Sequence, residues 1–131
     1  MQTHVPIPVK TLATFLLALA VHLTLGWAWT LAAGIAGGAW ARQRGWLVGL
    51  VGVAAAWAAL VAYNFAAAPN ATTRMARTVG ALLGNLPGWA TVLATVLMGA
   101  LLGTTGGFIG QQSGALWEAW TADDRRQTAA S

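Results

Sequence analysis

The fold is decided by residues 27–52, which read WAWTLAAGIAGGAWARQRGWLVGLVG. Two apolar, glycine-containing runs flank the polar triplet Arg42-Gln43-Arg44, and tryptophans lie near the ends of the runs. Helices that cross a bilayer have apolar centres, short basic connections and aromatic side chains near the headgroups. This stretch therefore predicts two membrane-spanning helices joined by a basic turn.

Apolar runs of the same kind continue in both directions. They cover Thr11–Ala41, Trp46–Ala68 and Gly88–Gln111, no Asp or Glu occurs between Thr11 and Gln112, and all seven Lys and Arg residues lie outside or between the runs. A charge at the bilayer centre costs roughly 2.5 to 3.5 kcal/mol, so lipid selects against it. With 57% apolar and 8% charged residues, the chain also lacks the polar side chains that coat a water-soluble domain. We predict a polytopic membrane protein whose first run is a retained anchor.

The first run is too long for one comfortable span, because about 20 helical residues cross the hydrocarbon core. One interpretation is a tight hairpin, with helix 1 from about Pro8 to Leu25, a turn near Gly26, and helix 2 from about Trp27 to Gln43. The other is a single long tilted helix, which gives three spans in total. Four spans place five basic residues inside and two outside, whereas three spans place four against three. The positive-inside rule therefore favours four spans with both termini in the cytoplasm.

The predicted fold is all-α: a membrane four-helix bundle within one domain, residues 1–112. Its spans cover about residues 8–25, 27–43, 46–66 and 88–111. The apolar stripe of Met75, Val79, Leu82, Leu83 and Leu86 predicts a short helix over about 72–85, capped by Thr72 or Thr73. That helix is either interfacial or a partly buried connector. We expect the polar tail, residues 113–131, to be loosely ordered.

Glycines at four-residue spacing form the most regular pattern of the chain. Gly34 and Gly38 recur as Gly103 and Gly107 after a constant shift of 69 residues. Such a match suggests two parallel helical-hairpin repeats. Small residues let helix backbones approach closely inside lipid, where van der Waals contact drives association. The predicted packing residues are Gly34, Gly37, Gly38, Gly45, Gly49, Gly99, Gly103, Gly106, Gly107 and Gly110. They either hold the four helices of one chain together or leave faces free for another subunit.

The chain contains few side chains that could act as catalytic acids or bases. The three carboxylates, Glu118, Asp123 and Asp124, all lie in the tail, and the two histidines are His4 and His22. No acid–base pair or metal-ligand cluster can be assembled inside the bundle from these groups. The basic residues occur in ones and twos and do not form a nucleic-acid-binding stripe. We predict a protein that is not an enzyme, uses no cofactor or metal and binds no nucleic acid.

His22 is the one ionisable residue within a predicted span. A hydrogen bond to a neighbouring helix, for example to Asn64, is its default role. The pattern Ala18-x-x-x-His22 followed by Trp27 resembles the spacing in antenna polypeptides that bind bacteriochlorophyll, and that resemblance implies porphyrin ligation by His22. Those polypeptides have a single span, and the rest of this chain departs from their pattern.

A pore is the other kind of site that the sequence allows. Its lining would come from hydroxyl and amide side chains, and the candidates are Thr104, Thr105 and Gln111. Threonines in membrane helices more often donate to the carbonyl four residues earlier in their own helix.

The segments from Ala33 to Leu50 and from Gly99 to Gly110, with their paired glycines and the basic triplet, resemble small four-span, glycine-rich bacterial and archaeal membrane proteins of unassigned function. The resemblance covers about Thr11 to Gln112. It implies a four-helix architecture in a prokaryotic inner membrane, and it implies no substrate. The expected function is a packing or accessory subunit of a homo-oligomer or a larger membrane complex. The alternative is a small channel or permease-like oligomer.

Overall fold

The computed structural model describes residues 5–130. Their regular secondary structure is entirely helical: α1 (Ile7–Leu25), α2 (Thr30–Ala41), α3 (Gly45–Ala67), α4 (Pro69–Leu82) and α5 (Gly88–Ala130). One-turn 3-10 helices, Trp27–Trp29 and Arg42–Arg44, adjoin the two ends of α2. His4 and both predicted cytoplasmic termini, residues 1–4 and 131, lie outside the described residues.

The first apolar run is a helical hairpin, as the four-helix interpretation predicts. Gly26 ends α1 with a φ of 96°, a value that glycine adopts without steric cost, and its N–H donates to His22 O. The chain then reverses, so that Lys10 near the start of α1 meets Trp40 near the end of α2. The single tilted helix is therefore wrong for this run.

The chain reverses a second time at the polar triplet Arg42-Gln43-Arg44. Arg42 has a φ of 50°, in the left-handed region that L-residues rarely occupy, and α3 begins three residues later. Within residues 5–130, three stretches are long and apolar enough to cross a membrane: Ile7–Leu25, Trp27–Ala67 and Gly88–Asp123. The turn at Arg42 divides the second stretch into α2 and α3, which gives four apolar helices.

The antiparallel pair of α2 and α3 occupies the centre of the bundle. Helix α5 lies along one side of this pair and α1 along the other. The buried apolar core consists of Ala18, Ala33, Val53, Ala56 and Trp57. Four of these five side chains are small, so the helices sit close together, and Trp57 is the largest side chain of the cluster.

The short helix before α5 begins earlier than its apolar stripe predicts. Pro69 occupies the first helical position, where its missing N–H costs nothing. The Thr72 hydroxyl is not a cap and instead donates to Asn64 O at 2.9 Å, which ties α4 to the end of α3. The helix ends at Leu82, and the positive φ values of Gly84 and Asn85 turn the chain into α5.

The prediction of a loosely ordered tail is wrong for residues 113–130, which continue α5 without a break. The physical reason is composition, because five of these 18 residues are Ala and two are Arg, which are strong helix formers, and the segment contains no proline. At 1.5 Å per residue, α5 is about 64 Å long, roughly twice the hydrocarbon thickness of a bilayer. The part of α5 after Gly114 therefore projects beyond the bundle.

Candidate functional site

The glycine faces of α2 and α5 pack directly on each other. A Cβ atom added at Gly34 would lie 3.3 Å from Gly103 O and 3.4 Å from Gly106 Cα. A Cβ added at Gly38 would overlap the Gly107 carbonyl and lie 2.7 Å from its Cα. Only hydrogen fits between these backbones, so the ladder brings α2 and α5 to the closest approach that helices allow.

The contacting pairs are also the pairs that the 69-residue shift relates. Gly34 meets Gly103 and Gly38 meets Gly107, so α2 and α5 run parallel across a local pseudo-symmetric contact. Beyond these two helices the same shift places α1 on residues 76–94, which form the end of α4, a turn and the start of α5. The duplication of whole hairpins stays a hypothesis.

Helix α3 uses its own glycines against the same side of α5. A Cβ at Gly107 would lie 2.5 Å from Gly45 O, and a Cβ at Gly49 would lie 2.9 Å from Gly107 Cα. Further along, a Cβ at Gly99 would lie 2.5 Å from Trp57 Cγ, so this glycine makes room for the largest core side chain. Because the contacts run in opposite chain directions, α3 and α5 are antiparallel.

Each of the ten predicted packing glycines contacts another helix of the same chain. The structure therefore leaves none of them free for a second subunit. An oligomer of this protein has to use other surfaces.

The packing of α1 depends on Thr14, a residue that the glycine pattern did not single out. Thr14 is 2% exposed and fills the space between Gly37 of α2 and Gly52 of α3. Its hydroxyl donates to Lys10 O at 2.9 Å, so the buried polar group is satisfied within α1. The signal in the sequence was the second glycine row on α2, which required a small partner from a third helix.

The candidate pore residues do not converge on a common channel. The Thr104 hydroxyl donates to Ala100 O in its own helix at 2.7 Å, Thr105 is exposed, and Gln111 is half-buried beside Trp46. The inward face of α5 between them carries Gly103 and Gly107, which are in backbone contact with α2 and α3. A pore through a single bundle has no room along this face.

His22 does not form the hydrogen bond expected of it. Its ring packs edge-on against Trp57 with 5.4 Å between the ring centroids, and neither His22 Nδ1 nor Trp57 Nε1 has a hydrogen-bond partner among the described residues. Asn64 is out of reach because it lies two helical turns, about 10 Å, beyond Trp57 on α3. Helix register therefore decides the partner of His22.

Polar contacts join the helices at the end of the bundle where α1 begins, which we call the basic end. Lys10 Nζ donates to Trp40 O at 3.1 Å and lies 5.8 Å from the Trp40 ring centroid. Arg42 forms an ion pair with Glu118. Both partners of this pair are exposed, so it contributes at most about 1 kcal/mol.

The projecting part of α5 carries a cluster of large apolar side chains, which we call the aromatic extension. Leu116, Trp117 and Trp120 are 71%, 65% and 69% exposed, and the two indole rings lie 5.8 Å apart. The three residues lie on one side of the helix because they are spaced one and three positions apart. This side of α5 has no covering element in the described part of the chain.

Within residues 5–130, no three His, Cys, Asp or Glu side chains come close enough together to hold a metal ion. Comparisons with protein-family models, curated proteins and solved structures yield no match to this chain. The candidate functional surface is therefore defined by the molecule alone: a glycine-packed bundle with an aromatic extension at its basic end.

Proposed function

We propose that this chain is a non-catalytic integral membrane protein that serves as a packing or accessory subunit of a homo-oligomer or a larger membrane complex. The observation that carries the proposal is the contrast between two parts of the molecule. The glycine core is closed within one chain, whereas the aromatic extension is exposed and rigidly continuous with α5.

Lipid is the solvent that the exposed helix surfaces require. Only 11% of the α1 segment is buried in the bundle, and outward side chains such as Leu16, Leu97 and Leu101 are more than half exposed. A water-soluble monomer rarely exposes apolar patches of this extent. The distribution of charge indicates the orientation of the bundle in the membrane, because Lys10, Arg42 and Arg44 lie at the basic end. We therefore place that end in the cytoplasm of a prokaryotic cell.

Single-cysteine labelling tests this topology without background, since the chain has no cysteine. In right-side-out spheroplasts, V9C and Q43C are expected to resist a membrane-impermeant maleimide, and A71C, on α4, is expected to react. All three positions are exposed in the fold, so differences in labelling report the side of the membrane. Labelling of V9C together with A71C would contradict four crossings.

The aromatic extension is the surface by which we expect the subunit to associate. Tryptophan is enriched among residues that dominate interface energetics, and such an anchor contributes about 2 kcal/mol or more when a partner buries it. A helix that projects from the bundle presents its side chains to a neighbour without disturbing the core. The direction of this helix is set by its unbroken continuity with the part of α5 that packs in the bundle.

The W117A/W120A variant is expected to dissociate from its complex, with a dissociation constant about thirtyfold higher or more, because truncation removes both exposed indoles. Crosslinking in native membranes, followed by size-exclusion chromatography with mass measurement in mild detergent, compares the assembled fraction of the variant and the wild type.

The matched control for this experiment is W27A/W29A. These two tryptophans are also exposed, 56% each, but they lie at the opposite end of the bundle. We expect W27A/W29A to assemble like the wild type. A wild-type chain that is monomeric in its native membrane and crosslinks to no partner would refute the accessory role. Ion or solute flux through liposomes that depends on Thr105 would favour a channel formed between copies.

A further inference from the structure

An open cavity of about 770 Å³ lies where the end of α3, α4 and the start of α5 meet. Phe65, Trp89 and Val92 form apolar walls, and Arg77 and Asn85 contribute polar groups to its lining. An amphiphile matches this distribution better than a fully polar solute, because one part of the cavity is apolar and the other is cationic.

The positive charge of Arg77 has no counter-charge at this end of the molecule. No Asp or Glu occurs before Glu118. The three carboxylates of the chain lie on the projecting part of α5, beyond the basic end. Arg77 has no ion pair among the described residues. Arg77 is exposed, so its guanidinium is open to an anionic group from outside the chain.

Arg77 lies beside the start of α5, on the lining of the cavity. A Cβ atom on Gly88 would lie 3.6 Å from Arg77 Cγ, so the aliphatic part of the arginine packs beside the first residue of α5. Arginine binds phosphate with two parallel N–H donors, which makes it the side chain best suited to an anionic headgroup.

The side chains of α4 indicate how deeply the cavity lies in the membrane. Met75 and Leu82 are 70% and 82% exposed, whereas Gly80 is buried against Leu86 and Thr91. A helix that packs one side on the bundle and exposes apolar residues on another is stable at the boundary between headgroups and acyl chains. The cavity beside it then opens at the level of lipid phosphates.

We propose that this cavity binds an anionic phospholipid, whose phosphate pairs with Arg77 and whose acyl chain lies against Phe65, Trp89 and Val92. The proposal rests on the membrane location argued above. It assigns α4 a second role, because the helix then holds a lipid in place as well as connecting α3 to α5.

Titration of the purified full chain with dioleoylphosphatidylglycerol, followed by native mass spectrometry, tests the site directly. The R77Q variant is expected to bind this lipid about tenfold more weakly or worse, since a charge-assisted hydrogen bond is lost. The matched control is R74Q, which removes the same charge from the same helix but does not line the cavity. It should bind the lipid like the wild type, and dioleoylphosphatidylcholine should bind all three proteins weakly.

Equal loss in R74Q and R77Q would overturn the proposal in favour of diffuse surface charge, and unchanged binding by R77Q would overturn it outright. Binding of inorganic phosphate alone with the same dependence on Arg77 would overturn the assignment to a lipid. Liposome flotation of the same proteins separates this outcome from the proposed membrane location. R77Q should float with the vesicles whatever happens at the cavity, whereas a chain that does not float would refute the location itself.

Discussion

The G103A variant is expected to lose about 3 kcal/mol of its free energy of unfolding, near the upper end of the usual cost of overpacking. The added Cβ would collide with the Gly49 carbonyl and lie 2.8 Å from Val53 Cβ. Neither obstacle is the flexible end of a long side chain, so α3 and α5 must move apart. Reversible unfolding in mixed detergent micelles measures the change.

The same substitution at Gly88 provides the control for G103A. A Cβ at Gly88 would meet its nearest neighbours at 3.6 and 3.7 Å, which is ordinary van der Waals contact. We expect G88A to change stability by less than about 0.5 kcal/mol, as surface substitutions usually do. Wild-type stability in G103A would refute the role of backbone contact between α3 and α5.

The T14L variant is the second large perturbation, because leucine does not fit where threonine fills the space between Gly37 and Gly52. Its hydroxyl and methyl groups already lie at or inside contact distance of any Cβ at these glycines. We expect a loss of about 2 to 3 kcal/mol, within the usual range for overpacking, with α1 displaced from the α2–α3 pair. The unfolding measurement in mixed micelles gives the loss. A bifunctional maleimide crosslink between K10C and W40C, at two residues that are in contact in the fold, reports the displacement.

T24L is the matched control for T14L. Thr24 lies on the same helix and, like Thr14, donates its hydroxyl to the carbonyl four residues earlier, but it is exposed. The control therefore loses the same hydrogen bond without meeting another helix. Equal stability of T14L and T24L would show that α1 is not locked at Thr14.

Much of the bundle could be predicted because lipid imposes simple rules on a sequence. The positions of the first three helices follow from apolar length and from the turns at Gly26 and Arg42. Their predicted ends differ from the observed ends by at most three residues. Glycine spacing indicated which faces meet, although spacing alone could not distinguish contacts within a chain from contacts between chains. That distinction required the register of α5 against α2 and α3.

The features that escaped prediction depend on tertiary contacts or on competing local signals. Thr14 looked like any other hydroxyl in an apolar helix until two glycine rows were seen to converge on it. The helical structure of the tail was not predicted, because a polar composition is typical both of disorder and of a solvated helix. The cavity beside Arg77 brings together residues from α3, α4 and α5, and no local pattern encodes such a meeting.

The parallel contact between α2 and α5 also sets the order in which the chain can mature. Until Gly103 and Gly107 have been synthesised, the glycine faces of α2 and α3 on the nascent polypeptide have no α5 to pack against. At about 5–20 residues per second, a ribosome needs roughly 2 to 9 s to extend the chain from the end of α3 to Gly110. During this interval the glycine faces of α2 and α3 lack the helix that covers them in the folded bundle.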